Sequence, residues 1–208
     1  MYEPSINKKM SHTISEINKK FNDIKGKEFT LPISLNKGGV GLMLEELLDI
    51  PHTSNCLDCS DGELKAIPLK KLKNGMFVPK ETMAVTMLSR EDLRSNDFKC
   101  SNCYKKMKRM MIVTYYRNGD KILFINSTII DCIKFADLYK IVESDYNDIK
   151  KDYMEHGILR SKTGMLLQNR TKGPGHGSTS RAFYLRKEFI THVISKRKIS
   201  KVKFIEYK

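Results

Sequence analysis

The stretch RMMIVTYYRNGDKILFINSTII, Arg109 to Ile130, constrains the fold more than any other part of the chain. Two segments rich in β-branched, aromatic and other apolar residues flank Asn118-Gly119, a dipeptide suited to the tight turn of a hairpin. A second hairpin is written upstream in ELKAIPLKKLKNGMFVPKETMAVTML. It reads as a strand, a turn at Asn74-Gly75 and a further strand with alternating apolar residues from Thr82 to Leu88. Helical spacing surrounds these strands. Ile6, Met10, Ile14, Ile17 and Phe21 fit an amphipathic helix within residues 5–25, Val40 to Leu48 fit a second helix, and residues 137–154 a third. A short basic turn of helix, YKKMK, precedes Arg109. LLQNRTKGPGHGSTSR reads as a Gly-rich basic loop, and AFYLRKEFITHVISKR as a strand that becomes a helix. Strands flanked by helices predict an α/β (α+β mixed) fold around a mixed sheet.

At 208 residues the chain suits one domain, or two small lobes that share one core. No apolar run approaches the roughly 20 residues of a membrane span. The start MYEPSINKKMSHTISEINKK lacks the apolar core of a secretory signal, so an intracellular, cytoplasmic protein is expected. The net charge of +14 is uneven, because His156 to Lys208 hold 13 Lys or Arg against Glu188 and Glu206. A field of that sign concentrates polyanions, which puts nucleic acid first among partners and an anionic membrane second.

The segment NCLDCSDGELKAIPL, Asn55 to Leu69, carries the densest chemistry. On a strand, Glu63 and Lys65 face the same side, and a short turn through Asp61 and Gly62 could bring Asp58 to the same place. Two hard carboxylates suit Mg²⁺, which keeps several waters and bridges to phosphate oxygens. Glu45, on the preceding helix, offers a further carboxylate. A polar turn leading into an ordinary strand would look the same, since E-x-K is a short pattern.

The order of NKGGVGLMLEELLDI, Asp58, GELKAIPLKKLKNG, KKMKRMMIV, NRTKG and RAFYLRKEF resembles the MutH family, which comprises a mismatch-repair nicking endonuclease and related type II restriction endonucleases. The similarity runs from about Lys37 to about Ile194. It implies a restriction-endonuclease-like core of the P-D…(D/E)-x-K type, with two lobes around a DNA cleft. Residues 26–130 would form the catalytic lobe and residues 131–208 a basic, DNA-reading lobe. By the same resemblance, Glu45, Asp58 and Glu63 are the Mg²⁺ ligands and Lys65 the catalytic lysine. Lys37 and Lys106 would contact the scissile phosphate. Arg170, Lys172 and Gly173 would belong to the base-reading loop, and Tyr184 to the sensing of adenine. The interval from Asp58 to Glu63 is short for the family, and Leu57 replaces the usual proline, which leaves Asp61 as the alternative ligand.

Cys56-x-x-Cys59 and Cys100-x-x-Cys103 have zinc-knuckle spacing, so a structural Zn²⁺ could clamp the Asp58 turn; four unligated thiols are the other expectation. The odd total of five cysteines argues against a disulfide framework. The resemblance to the MutH family, whose restriction members recognise GATC, implies a Mg²⁺-dependent type II enzyme cutting double-stranded DNA at that site, with Mn²⁺ able to substitute. Cutting both strands would need a homodimer on DNA or two successive nicks. The alternatives are a repair nickase that needs a mismatch-repair partner, and a non-catalytic DNA-binding protein on a decayed nuclease fold.

Overall fold

A computed structural model describes residues 12–31, 38–51, 56–172 and 180–195. Its centre is a five-stranded sheet in the order β1-β6-β5-β2-β3. The strands are β1 (Glu28–Thr30), β2 (Glu63–Lys71), β3 (Phe77–Pro79), β5 (Arg109–Asn118) and β6 (Lys121–Asp131). β5 and β6 are the hairpin expected around Asn118-Gly119, and Gly119 takes the positive φ of 62° that this turn needs. β2 and β5 pair in parallel, from Glu63 opposite Met110 to Leu69 opposite Tyr116. The other pairings in this sheet are antiparallel, so the sheet is mixed.

Side-chain alternation divides the core in two. On one face Leu64, Met111, Val113, Ile122 and Phe124 pack with α1 (Ile14–Ile24) and α2 (Gly39–Leu47). α1 earns its place with a continuous buried stripe, Ile14, Ile17, Phe21 and Ile24. Its first turn is closed by a capping box in which Thr13 and Glu16 satisfy each other's backbone N–H groups. On the opposite face Ile67, Met110, Ile112 and Ile130 pack with α4 (Asn102–Met107), α5 (Ala136–His156) and α6 (Lys187–Ser195). Gly157 ends α5 in the left-handed conformation, at φ 66°.

A second sheet, in the order β4-β8-β7, lies within that second cluster. It joins β4 (Met83–Met87), β7 (Leu167–Thr171) and β8 (Arg181–Leu185), all antiparallel. Two expectations change here. The Thr82–Leu88 strand forms, but it pairs with β8 and not within the upstream hairpin, whose closing strand is the short β3. Part of the segment expected as a basic loop is the strand β7, in which Gln168 and Asn169 are buried. Between β4 and α4 lie α3 (Arg90–Ser95) and a 3-10 turn at Phe98–Cys100, which the sequence reading did not separate.

Candidate active site

The turn before β2 is fixed by backbone contacts on all sides. Cys59 N–H donates to the Gly62 carbonyl at 2.9 Å, and Ser60 N–H donates to the His12 carbonyl at 2.9 Å. Gly62 is required by its neighbours: a Cβ there would lie 2.7 Å from the Arg109 carbonyl oxygen and 2.7 Å from Ile14 Cγ1. The carboxylate of Asp61 is committed to the scaffold. It accepts the Ile14 N–H at 2.6 Å and pairs with Arg109 Nη1 at 3.1 Å, tying α1 to the start of β5. Asp61 therefore anchors the turn to α1 and β5.

Asp58 turns the other way. Its Oδ2 accepts the Leu64 N–H at 3.0 Å, so the carboxylate folds back over the first residues of β2. Glu63 and Lys65 share one face of β2, as their two-residue spacing requires, and α4 delivers Lys106 to the same point. Lys65 Nζ donates to Glu63 Oε1 at 2.5 Å and Lys106 Nζ to the same oxygen at 2.8 Å. Glu63 is only 1% exposed, whereas each lysine side chain keeps 22% of its surface in solvent. The second carboxylate oxygen, Oε2, is buried and has no hydrogen-bond partner among the described residues. A buried anionic oxygen without a donor is costly unless a cation reaches it.

Burial raises the Asp58 carboxyl above the usual aspartate range, and the negative charge of Glu63 adds to that; Lys65, the Leu64 N–H and Lys106 oppose it. Asp58 and Glu63 thus repel each other across a partly desolvated space, and one of them holds an unsatisfied oxygen. This donor set fits a divalent cation that takes two protein carboxylates and keeps its remaining ligands as water or phosphate. Asp58 and Glu63 are the residues that would hold it.

Three expectations fare differently. Glu45 sits half-buried on α2, next to the buried Leu44, but no group of three or more Asp, Glu, His or Cys positioned for a metal occurs among the described residues. The three-carboxylate set is therefore not assembled. The cysteine quartet is not assembled either. Cys59 is buried in the cluster on one face of the large sheet and Cys103 in the cluster on the other, while Cys56 and Cys100 are exposed. Cys59 lies in the turn before β2 and Cys103 on α4, which pack on opposite faces of the sheet, and spacing alone cannot reveal that. Burial and the nearby Asp58, Asp61 and Glu63 push the Cys59 thiol up to about 12, and burial also raises the Cys103 thiol. Lys37 lies outside the described residues.

The residues expected to read bases meet on the small sheet. Arg170 on β7 and Tyr184 on β8 share a face, with the guanidinium carbon 5.6 Å from the ring centroid. Arg170 Nη1 also donates to the Thr82 hydroxyl at 3.1 Å, a contact the sequence reading missed because the two residues are 88 positions apart. Tyr184 is half-buried and faces away from the core residues Phe183 and Leu185. Lys172 follows β7, its N–H bonded to the Ser180 carbonyl at 2.9 Å; Gly173 lies outside the described residues. The strand that carries Arg170 is anchored by Asp145 on α5, also missed. Its buried carboxylate accepts the N–H groups of Met165, Leu166 and Leu167 at 2.6, 2.6 and 2.7 Å.

An acid pair with two lysines at the start of a strand in a mixed sheet suits the hydrolysis of a phosphodiester, and the family match over residues 49–152 puts the protein in the class of DNA endonucleases. The family model described as DNA mismatch repair enzyme MutH matches residues 49–152, half of the chain. The chain belongs to the MutH family. No curated protein matches the sequence. Among solved structures it is similar to one described as a restriction endonuclease MvaI-cognate DNA substrate complex. The identity is 12% and the TM-score 0.46, over 88% of this chain and 97% of that one.

Proposed function

We propose that this protein is a Mg²⁺-dependent type II endonuclease that hydrolyses both strands of DNA at GATC, with Mn²⁺ as a workable substitute. The observation that carries the reading is the buried Glu63 carboxylate, gripped on one oxygen by Lys65 and Lys106 and left open on the other beside Asp58, in a chain of the MutH family. When bound by Asp58 and Glu63, Mg²⁺ would polarise the phosphate and acidify a bound water. Lys65 and Lys106 supply two ammonium groups where charge grows on the phosphoryl oxygens, and their shared grip on Glu63 fixes their direction before substrate arrives. Arg170 offers the planar fork that reads guanine, and Tyr184 braces it. In this reading residues 131–208 hold most of the base-reading surface and residues 26–130 the hydrolytic groups. One chain contributes one such site, so cleavage of both strands takes two copies on DNA or two successive nicks.

A repair-type nickase is the second reading, favoured by the description of the matching family model. Incubating a supercoiled plasmid that contains GATC sites with the purified protein and Mg²⁺ separates the possibilities. Linear fragments support the restriction reading, and nicked circles on hemimethylated plasmid support the repair reading. Duplex binding with no cleavage in either cation would leave a non-catalytic DNA-binding protein. Unchanged cleavage by Lys65→Ala would remove the mechanism.

A further inference from the structure

Beside the catalytic turn lies a cleft of about 570 Å³ that none of the assigned residues uses. Leu57, Ser60 and Asp61 form one wall; Lys105, Lys108 and Arg109 come from α4 and the start of β5. The far wall is the β6–α5 turn, Asp131 to Lys134. We propose that this cleft is a second DNA subsite, which holds the sugar-phosphate backbone of the strand flanking the cut. The proposal rests on the nuclease reading above and extends the bound DNA beyond the recognition sequence.

Charge decides the class of occupant. Four cationic side chains line the cleft against two carboxylates, and both carboxylates are already engaged. Asp61 holds Ile14 and Arg109, while Asp131 Oδ1 accepts the N–H groups of Ile133 at 3.0 Å and Lys134 at 2.8 Å. Lys105, Lys108 and Lys134 make no ion pair among the described residues. Such an array suits a row of phosphates. Continuity with the site decides which phosphates. Consecutive residues of α4 serve both places, since Lys106 grips Glu63 while Lys105 lines the cleft. The turn does the same with Asp58 and its neighbours Leu57 and Ser60.

Ile133 adds an apolar contact. It is 85% exposed, yet its N–H and that of Lys134 both donate to Asp131, which holds the turn in place. An isoleucine fixed outward among lysines can pack on the sugar or base face of a nucleotide whose phosphates the lysines bind.

The test compares wild type, Lys108→Ala/Lys134→Ala, Lys108→Arg/Lys134→Arg and Ile133→Ala. Fluorescence anisotropy in chelator is run on two GATC duplexes, one with long flanks and one that ends close to the site, across a salt series. For the long duplex, the double alanine variant should bind roughly tenfold or more weakly, and its log–log salt slope should shrink by about two, near one per lost phosphate contact. The short duplex should be little affected, and the double arginine variant should bind the long one like wild type. Ile133→Ala should lose a few-fold in affinity with an unchanged salt slope. A double alanine variant with wild-type affinity and slope on the long duplex overturns the subsite alone. A wild type that binds neither duplex in chelator and cleaves neither with Mg²⁺ overturns the nuclease reading with it.

Discussion

Truncating the two lysines that grip Glu63 should reveal how much they stabilise the fold, and the effects should not add. Glu63 is 1% exposed and shares one oxygen with Lys65 at 2.5 Å and Lys106 at 2.8 Å. A hydrogen bond to a charged group is worth about 1.5 to 3 kcal/mol, while a buried ion stripped of its partners costs about 3 to 5 kcal/mol. Each lysine is partly solvated, and either one alone still neutralises the carboxylate, so Lys65→Ala or Lys106→Ala should each cost about 1 kcal/mol. Removing both strands a carboxylate that water barely reaches, and about 4 kcal/mol is expected, a coupling of about 2 kcal/mol beyond the sum. For a chain of this size that corresponds to a fall in Tm of roughly 10 °C. The chain has no tryptophan, so unfolding is best followed by far-UV circular dichroism, in chelator. Adding Mg²⁺ should recover part of the loss, since a cation on Asp58 and Glu63 replaces the missing positive charge and binds only the folded state. Changing Glu63→Gln in the double variant should recover most of it without metal. Additivity within about 0.5 kcal/mol, or no recovery with Glu63→Gln, would refute the claim that the lysines exist in the fold as counterions to a buried charge.

Three further outcomes are expected. Asp58→Asn should abolish cleavage yet stabilise the metal-free protein at pH 7. The native Asp58 carboxyl titrates above its unfolded value of 3.8, so its contribution to stability falls as pH rises through that window, and the variant's advantage should vanish below about pH 3.8 when Tm is compared in chelator. Gly62→Ala should cost about 1 to 3 kcal/mol in urea unfolding and lower cleavage with it, because the added methyl meets the Arg109 carbonyl and the Ile14 side chain at 2.7 Å. Arg170→Ala should lose about 1 to 3 kcal/mol of discrimination between GATC and single-substituted duplexes in competition binding, with little change in kcat at saturating DNA.

How far these features were legible in the sequence differs by the kind of signal. The Asn118-Gly119 hairpin and the helix of residues 136–156 rest on local periodicity and turn chemistry, which one segment displays by itself. The strand β7 does not. After Leu167 its residues are Gln, Asn, Arg and Thr, a composition that reads as a loop. What makes it a strand is tertiary: N–H bonds to Asp145 from the two residues before it and from its first residue, Leu167, and the Arg181 guanidinium on the buried Asn169 side chain at 2.7 Å. The same division runs through the site. Glu63 and Lys65 are neighbours by strand alternation and could be paired on sight. The roles of Asp58 and Asp61 could not be told apart, because they depend on which carboxylate meets Leu64 and which meets Ile14 and Arg109.

The parallel pairing of β2 and β5 is the step that turns a local E-L-K into a site. Glu63 lies opposite Met110, so both strands begin at the same end of the sheet, and the short helix before β5 must stand over the first residues of β2. That is how Lys106, 43 residues from Glu63, reaches the oxygen that Lys65 also holds. A slip of one residue along β2 would turn Glu63 and Lys65 toward the face where Leu64 now packs with Met111 and Val113, burying two charges among apolar side chains. The register is defended against that slip by the groups that orient the acids. Asp58 holds the Leu64 N–H, Gly62 admits only the close approach of Arg109 and Ile14, and Asp61 joins those two elements. The geometry of the proposed site and the strand register are therefore set by the same five-residue turn, which contains both a carboxylate committed to the scaffold and one turned back over the strand.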